Sequence, residues 1–579
     1  MSPPGAFCLV LHTHLPYVLG HSTWPHGAQM LYEAAADCYL PLLRTFRKLA
    51  DDGLPPRVTV SFTPVVLEQL ADARFREWFP PYLQERVDQA EANRAEFRGR
   101  GDAHLAWLAE RWAGHFGELK RFFEQDLNRD LVRGFRELQE RGALELMSSA
   151  ATHGYLPLLH EECSVQAQIR QGARSYERLI GRYPRGFWLP ECAYRPRSRW
   201  APPAQVVPPD GRTWLRRGLE EFLSREGFDY FIVDTHMLSG GDPLPVHIDY
   251  DHNLGKLWGR IYRRDESPRP AWEKTPHFPY FVGAHFEDHP PIACLVRHPE
   301  VSHQVWSADW GYPGDGWYLE FHKKHLPGDH RYWRVTDDRN DLAGKQAYSP
   351  EMAAERVRDN AGHFVSRLHD MLEAQPRPFG RRPLICAPFD AELFGHWWHE
   401  GPAWLEQAIR WAHEDSRLEF MTCHEYLDDS PPATAITLPE GSWGAGGGHF
   451  VWLNPQTEWT WRRVYDAEED MRELAKELAD TQDEQLRQFL KQAARELFLL
   501  QASDWQFLIT TGSAPDYAAR RLDAHHSDFK RVADLARRWS RHERLSEADW
   551  AYFGDLRSRD AIFPDADPKW FAGLDQPSA

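Results

Sequence analysis

The stretch Ala6-Phe7-Cys8-Leu9-Val10-Leu11-His12-Thr13-His14 runs through apolar residues and then stops at a His-Thr-His triplet. A short continuous apolar run of this kind reads as a β-strand covered on both faces, and the polar residues mark where it leaves the core. The signature recurs along the chain, each time followed by a longer helix-compatible segment. It is seen at 57–62 before Thr63, 144–148 leading to His153, 186–189 leading to Glu191 and 230–233 before Asp234. It returns at 291–296 before Arg297 and at 384–389 before Asp390, and 418–422 reads as an eighth strand or an edge element. Alternating β and α segments predict an α/β fold with parallel strands closing into a TIM-like barrel, whose chemistry sits at the carboxyl ends of the strands. Those ends carry His, Glu, Asp and Arg.

Around this core the pattern changes. Residues 69–139 are charged and helix-compatible, too long for a simple crossover, and read as a helical insertion. Residues 238–279 are rich in Gly, Pro, His, Asp and aromatics without periodicity, which predicts a long loop over the barrel mouth. After about residue 428, GSWGAGGGHFVW (441–452) gives way to helical patterns at 468–499 and 515–541. The reading is a barrel built from 1–68 and 140–428, an insertion at 69–139, and a C-terminal helical domain at 429–579.

Composition excludes several functions. The chain has 579 residues and a formal net charge of −18, with no Lys/Arg block, so neither nucleic acid nor an anionic membrane is an expected partner. Its seven Cys lie far apart without a CxxC pair, which argues against a disulfide framework or a thiolate zinc site and for a reducing compartment. No apolar run approaches a membrane span, and the first residues lack a basic, cleavable leader pattern, so the expected location is cytoplasmic. Twenty-five Trp, 20 Tyr and 31 Phe are more than the core requires, and indole and phenol faces suit sugar rings.

Two carboxylates stand out. Glu191 closes Gly186-Phe187-Trp188-Leu189-Pro190-Glu191, where Pro stiffens the preceding bond. Asp390 lies in Ala387-Pro388-Phe389-Asp390-Ala391-Glu392-Leu393-Phe394-Gly395-His396-Trp397-Trp398, among aromatics that raise a carboxyl pKa by desolvation and suit a proton donor. Each also has a structural reading, a surface ion pair for Glu191 and a helix cap for Asp390. Brought together by a barrel, the two have the makings of a glycosidase pair, retaining if about 5–5.5 Å apart and inverting if wider. His12 and His14 lie on one side of their strand. They suit hydrogen bonding to sugar hydroxyls or to Glu191; a zinc site would need His153 and Asp234 as well, and neither HExxH nor a Cys pair accompanies them.

Five blocks carry a resemblance: HTHLPY (12–17), THGYLPLL (152–159), GFWLPECAY (186–194), FDAELFGHWW (389–398) and LQASDWQF (500–507). In this order they resemble glycoside hydrolase family 57, and within it the 1,4-α-glucan branching enzymes. The resemblance implies an incomplete (β/α)7 barrel with a helical insertion and a C-terminal helical domain completing the cleft. It implies Glu191 as nucleophile, Asp390 as general acid/base, and His12, His14 and His153 around the sugar at the cleavage point. RHPEVSHQVWSADWGYPGD (297–315) carries over Arg297, Trp306 and Gly314 to the cleft; GSWGAGGGHFVW carries over Trp443 and Trp452; SDW carries over Asp504; and Trp24 fits more loosely. For each tryptophan a core role is the alternative.

The implied substrate is an α-1,4-glucan and the implied product an α-1,6 branch, with no cofactor and no metal. Alternatives are a 4-α-glucanotransferase or α-amylase of the same fold, a silent glucan-binding protein, and a metal-dependent hydrolase or deacetylase using His12, His14 and Asp234. The segment 238–279 is longer than in the shorter branching enzymes, and Tyr250, Tyr262 and Trp258 all qualify as the residue reaching over the cleft. The place of Glu392 and His396 relative to Asp390, and the oligomeric state, are left open by the sequence.

Overall fold

The computed structural model describes residues 5–23, 25–207, 213–239, 274–283, 290–307, 310–337, 341–377 and 380–574. Trp24, Tyr250, Trp258 and Tyr262 lie outside the described residues.

Twelve strands are described: β1 Gly5–Thr13, β2 Val58–Phe62, β3 Leu144–Ser149, β4 Gly186–Trp188, β5 Ser198–Trp200, β6 Trp214–Arg216, β7 Tyr230–Val233, β8 Tyr280–Val282, β9 Ile292–Val296, β10 Leu384–Asp390, β11 Leu418–Phe420 and β12 Ala435–Ile436. Seven form a parallel run in the order β10-β1-β2-β3-β4-β7-β9. They are the seven apolar runs of the sequence, and every residue of β1, β2 and β3 is buried, as parallel strands between helical layers must be. The sheet curls until Arg297, just past β9, bridges Cys386 of β10. The gap is left between these strands, so the barrel is incomplete.

Register sets up the site. His12 pairs with Asp390 across β1 and β10, and with Ser61 across β1 and β2, which places three polar residues at one end of adjacent strands. Gly186 opens β4 because a Cβ there would lie 2.4 Å from the Tyr230 ring on β7. Packing at this point leaves no room for a side chain.

The run at 418–422, read as an eighth strand or an edge element, is β11, which pairs the first residues of β1. The structure differs from the sequence reading in two places. Beyond β9 the sheet continues with β8, antiparallel to β9, and β12 beside it; β8 abuts the unpatterned 238–279 segment and its three residues are too few to show a period. The helical pattern at 468–499 is two helices, Glu458–Leu478 and Glu484–Leu500, because Asp483 accepts the Leu486 N–H at 2.9 Å and starts a new helix.

The insertion contains the helices Ala73–Gly99 and Ala103–Arg121, joined at Gly101 (φ 76°), with Asp102 capping the second. The C-terminal helices include Glu458–Leu478, Glu484–Leu500, Asp504–Thr511, Pro515–Ser540 and Glu547–Arg559. They dock on the barrel through buried polar contacts. Glu468 accepts the His160 N–H (2.7 Å) and the Gln501 amide (2.6 Å), and Gln168 donates to Gln501 (2.9 Å). Among the described residues no helix is long and apolar enough to cross a membrane.

Candidate active site

Glu191 follows β4 in a tight turn, Pro190–Cys192, with left-handed backbone angles (φ 61°, ψ 25°). Cys192 (φ 47°) and His153 (φ 57°) share that region. Non-glycine residues occupy it at a cost that surrounding structure must offset, a situation concentrated at functional sites. Here the offset is visible: the Trp443 N–H donates to the Glu191 carbonyl (3.0 Å), and Gly441 bridges Tyr194. The Trp443 indole N–H also donates to Glu191 Oε2 at 2.7 Å. Thus the 441–443 segment grips the Glu191 turn by backbone and side chain.

A line of hydrogen bonds approaches Glu191 from the other side. Ser61 Oγ lies 3.1 Å from His12 Nδ1, His12 Nε2 is 3.1 Å from His153 Nε2, and His153 Nδ1 is 3.0 Å from Ser503 Oγ. Ser503 in turn donates to Glu191 Oε1 at 3.5 Å. One assignment satisfies every link: Ser61 donates to His12, His12 to His153, His153 to Ser503, and Ser503 to the carboxylate. It requires both imidazoles to be neutral. Burial pushes His12 and His153 well below the usual histidine range, helped by the charge on His14. His12 also stacks on Trp188, with ring centroids 4.5 Å apart.

His14 behaves differently. Burial lowers its pKa, but Asp504 outweighs this and raises it above the ordinary value, with both carboxylate oxygens 3.0 Å from Nε2. His14, its charged form favoured by Asp504, stacks 4.0 Å from neutral His153. Asp504 comes from the first turn of the helix Asp504–Thr511, so the C-terminal domain supplies this charge.

Asp390 ends β10. Burial raises its pKa to about 6, against the pull of His14 and Arg297. Burial likewise raises Glu191 to about 7; the Trp443 hydrogen bond opposes it, and the charge of Asp390 adds to it. The two carboxyl groups therefore sense one another inside one desolvated site. Glu392, next along the Asp390 loop, accepts the Tyr39 hydroxyl at 2.5 Å, and burial raises it to about 7. His396 faces away from this pair and holds Asp37 at 3.1 Å.

Arg297 is buried at the end of β9, donating to Asp234 (3.2 Å) and Ser302 (2.9 Å), with its guanidinium 5.9 Å from the Trp443 ring. Asp234, Arg297, Trp443 and Glu191 thus form a chain of successive contacts. Trp306 is half-buried, 6.0 Å from the Trp397 ring. Gly314, itself exposed, ends the turn Tyr312–Gly314, whose neighbour Asp315 is tied to Arg356 on a helix. Trp452 is fully buried and stacks on Tyr155 at 4.4 Å, so it is placed to support the 441–452 loop from beneath rather than to offer an open face.

Sequence reasoning missed Ser503, Ser61 and Tyr39. Ser503 could have been suspected from its place beside Asp504; Ser61 and Tyr39 carry no signal outside the strand register and the packing of the Ala35–Tyr39 turn. Among the described residues, the metal-capable donors that converge are Glu496, His525 and Asp560, in the helical domain. That group is already neutralised: His525 bonds Glu496 (2.8 Å), Arg521 reaches His525 (3.1 Å), and Arg559 and His21 hold Asp560 (2.9 and 2.6 Å). Asp234, engaged by Arg297, lies with neither His12 nor His14 in such a group.

An open barrel that gathers two desolvated carboxyl groups and three stacked imidazoles at its strand ends defines an enzyme of glycosidic-bond chemistry. The chain belongs to glycosyl hydrolase family 57, whose family model matches residues 8–439. Residues 463–571 match a second model, described as 1,4-alpha-glucan branching enzyme, C-terminal. The chain is 38% identical over 561 residues to the 1,4-alpha-glucan branching enzyme TK1436 of Thermococcus kodakarensis, covering 96% of this chain and 77% of that protein. The crystal structure of TK1436 with glucose and additives superposes with a TM-score of 0.87 at 36% identity, over 99% and 97% of the two chains. The family 57 branching enzyme of Pyrococcus horikoshii gives 0.85 at 36%, over 99% and 98%. The α-amylase AmyC of Thermotoga maritima gives 0.78 at 28%, over 98% and 99%.

Proposed function

We propose that this chain is a 1,4-alpha-glucan branching enzyme working by double displacement, with Glu191 as nucleophile and Asp390 as general acid/base. The observation that carries the assignment of roles is the asymmetry of hydrogen bonding. Glu191 receives N–H and O–H donors from Trp443 and Ser503, which stabilise a carboxylate aimed at an anomeric carbon. Asp390 is desolvated, which raises its proton affinity above that of an ordinary carboxyl group, and in the productive form it holds the proton while Glu191 is charged. Glu191 attacks C1 of the glucan while Asp390 gives its proton to the departing O4, leaving the chain bound to Glu191 through an ester. Asp390 then takes the proton of an incoming hydroxyl, which attacks C1 and releases Glu191. A glucan 6-hydroxyl yields an α-1,6 branch and water yields hydrolysis, so acceptor binding and water exclusion decide the outcome. His12, His14, His153, Arg297, Trp306, Gly314, Trp443, Trp452, Asp504 and Trp24 are assigned to binding the glucan or shaping its cleft, Trp452 and Arg297 by positioning Trp443 and its loop.

The substrate is a neutral α-1,4-glucan such as amylose or a glycogen-like polymer, and the setting is glycogen biosynthesis in the cytoplasm. Seven buried free cysteines are compatible with that reducing compartment. The likeness to AmyC keeps hydrolysis as the second reading. Incubation with amylose separates them: new reducing ends are counted, followed by the chains released by an α-1,6-specific debranching enzyme. Many released chains with few new reducing ends mark a branching transferase; reducing ends without α-1,6 linkages mark an amylase and refute the proposal.

A further inference from the structure

The loop that grips the Glu191 turn needs an anchor of its own. Residues 441–448 read Gly-Ser-Trp-Gly-Ala-Gly-Gly-Gly, five glycines in eight positions, and a chain so poor in side chains loses much conformational freedom when it is fixed. Gly446 and Gly447 use that freedom, with φ of 77° and 72°. Ser442 fastens the turn from within: its N–H donates to the Gly447 carbonyl (2.9 Å) and its Oγ to the Gly448 carbonyl (2.6 Å). Trp443, next to it, turns both its backbone and its indole N–H onto Glu191 (3.0 and 2.7 Å).

One side chain ties the two ends of this loop. His449, which follows it, bonds Glu440, which precedes it, through Nε2 (2.7 Å to Oε1), and meets the Tyr155 hydroxyl through Nδ1 (2.9 Å). Tyr155 is a fixed post, two residues beyond His153, fully buried and stacked on Trp452 at 4.4 Å. Burial pushes its hydroxyl well above the ordinary phenol range, so it stays protonated; Glu191 and Glu440 are close enough to act on it in the same sense. With Tyr155 as donor, Nδ1 accepts and Nε2–H donates to Glu440, the order that a neutral imidazole provides. Arg195 and Arg216 are the cations that face Glu440 besides His449. The imidazole bonds neither Glu191 nor Asp390, so what it does to the carboxyl groups passes through the loop.

We infer that His449 is a positioning residue for the nucleophile: by clamping Glu440 and Tyr155 together it holds the 441–448 loop in the shape that keeps both Trp443 N–H groups on Glu191. The inference rests on the assignment of Glu191 as nucleophile made above. A glycine-rich loop fixed only at Ser442 would let the indole drift, and a donor that must meet one carboxylate oxygen loses its effect within a fraction of an ångström.

Two measurements test it. In the His449→Ala variant, kcat/KM for a chromogenic maltooligoside is expected to fall about tenfold, with the alkaline limb of its pH profile moved upward by about one unit as Glu191 loses its donor. On a Trp443→Phe background the same substitution should change kcat/KM less than about twofold, as residues acting through one bond do. A fall with the limb unmoved, or an equal fall on both backgrounds, overturns the inference. Tyr155→Phe, which keeps the ring on Trp452 and removes the hydroxyl, carries the same expectations if His449→Ala does not fold. The indole N–H resonance of Trp443 in the intact, isotope-labelled protein, identified by its loss in Trp443→Phe, reads position without turnover. Its displacement in His449→Ala is expected, and an unmoved resonance overturns the inference. If Glu191→Ala keeps its turnover, the nucleophile assignment fails, whereas the resonance still shows whether His449 holds the indole.

Discussion

Trp443→Phe isolates one hydrogen bond. The ring that packs beside Trp188 (5.1 Å) and Arg297 is retained, and the indole N–H that donates to Glu191 Oε2 at 2.7 Å is lost. A buried hydrogen bond to a charged group is worth about 1.5–3 kcal/mol, and about 1.4 kcal/mol corresponds to one pH unit, so the Glu191 pKa should rise by about one to two units. Burial raises both carboxyl groups, Glu191 to about 7 and Asp390 to about 6, so the productive singly protonated form, with Glu191 charged and Asp390 protonated, competes with the form in which Glu191 holds the proton. Losing the N–H shifts that balance about ten- to hundredfold toward protonated Glu191. Cleavage of a chromogenic maltooligoside, followed as kcat/KM against pH, should be bell-shaped with limbs near these two values in the parent. In the variant its maximum should fall about ten- to hundredfold, and the alkaline limb should move upward by about one to two units. A reduced maximum with both limbs unmoved would refute the reasoning, because the indole would then act on substrate and not on the ionisation of Glu191.

Glu191→Ala and Asp390→Asn should each reduce amylose turnover at least about a thousandfold with an unchanged circular dichroism spectrum; substantial residual turnover in either removes it from the catalytic pair. Asp504→Asn removes the partner that holds the His14 pKa above the ordinary 6.5. Because that pKa is raised on folding, its stabilisation is full below the unfolded value and disappears as pH rises through the folded one, so the variant should melt lower than the parent at pH 5 and alike at pH 9. An equal deficit at both would show that hydrogen-bond geometry, not charge, is what Asp504 supplies. Glu468→Ala leaves the His160 N–H and the Gln501 amide unsatisfied at a buried contact between barrel and helical domain, and should cost about 2–4 kcal/mol in a denaturant titration. A loss below about 0.5 kcal/mol would mean that water replaces the carboxyl group.

Seven parallel strands were legible because each is a local event: an apolar run, buried on both faces, that ends where polar residues leave the core. Those ends carry Glu191 and Asp390, so the sequence pattern located both carboxyl groups and the imidazoles of His12 and His14. β8 and the β5–β6 pair were not legible, since they pair antiparallel, outside the βα alternation by which the equally short β4 and β11 were read. The break between Leu478 and Glu484 was likewise hidden, because the apolar spacing continues while the Asp483 cap decides the turn.

By itself, then, the sequence determined the α/β alternation, the strand ends and the positions of the two carboxyl groups proposed for acid/base and nucleophilic chemistry, for these follow from residue type and short-range spacing. Only the tertiary structure decided their states. His14 and Asp504 meet across 490 residues of chain, raising the proton affinity of one imidazole while burial lowers that of His12 and His153. Trp443 reaches Glu191 from 252 residues away, and β1 and β10 bring His12 level with Asp390. Charge and proton affinity depend on burial and on neighbours in space, and neither is a property of a residue's place in the chain.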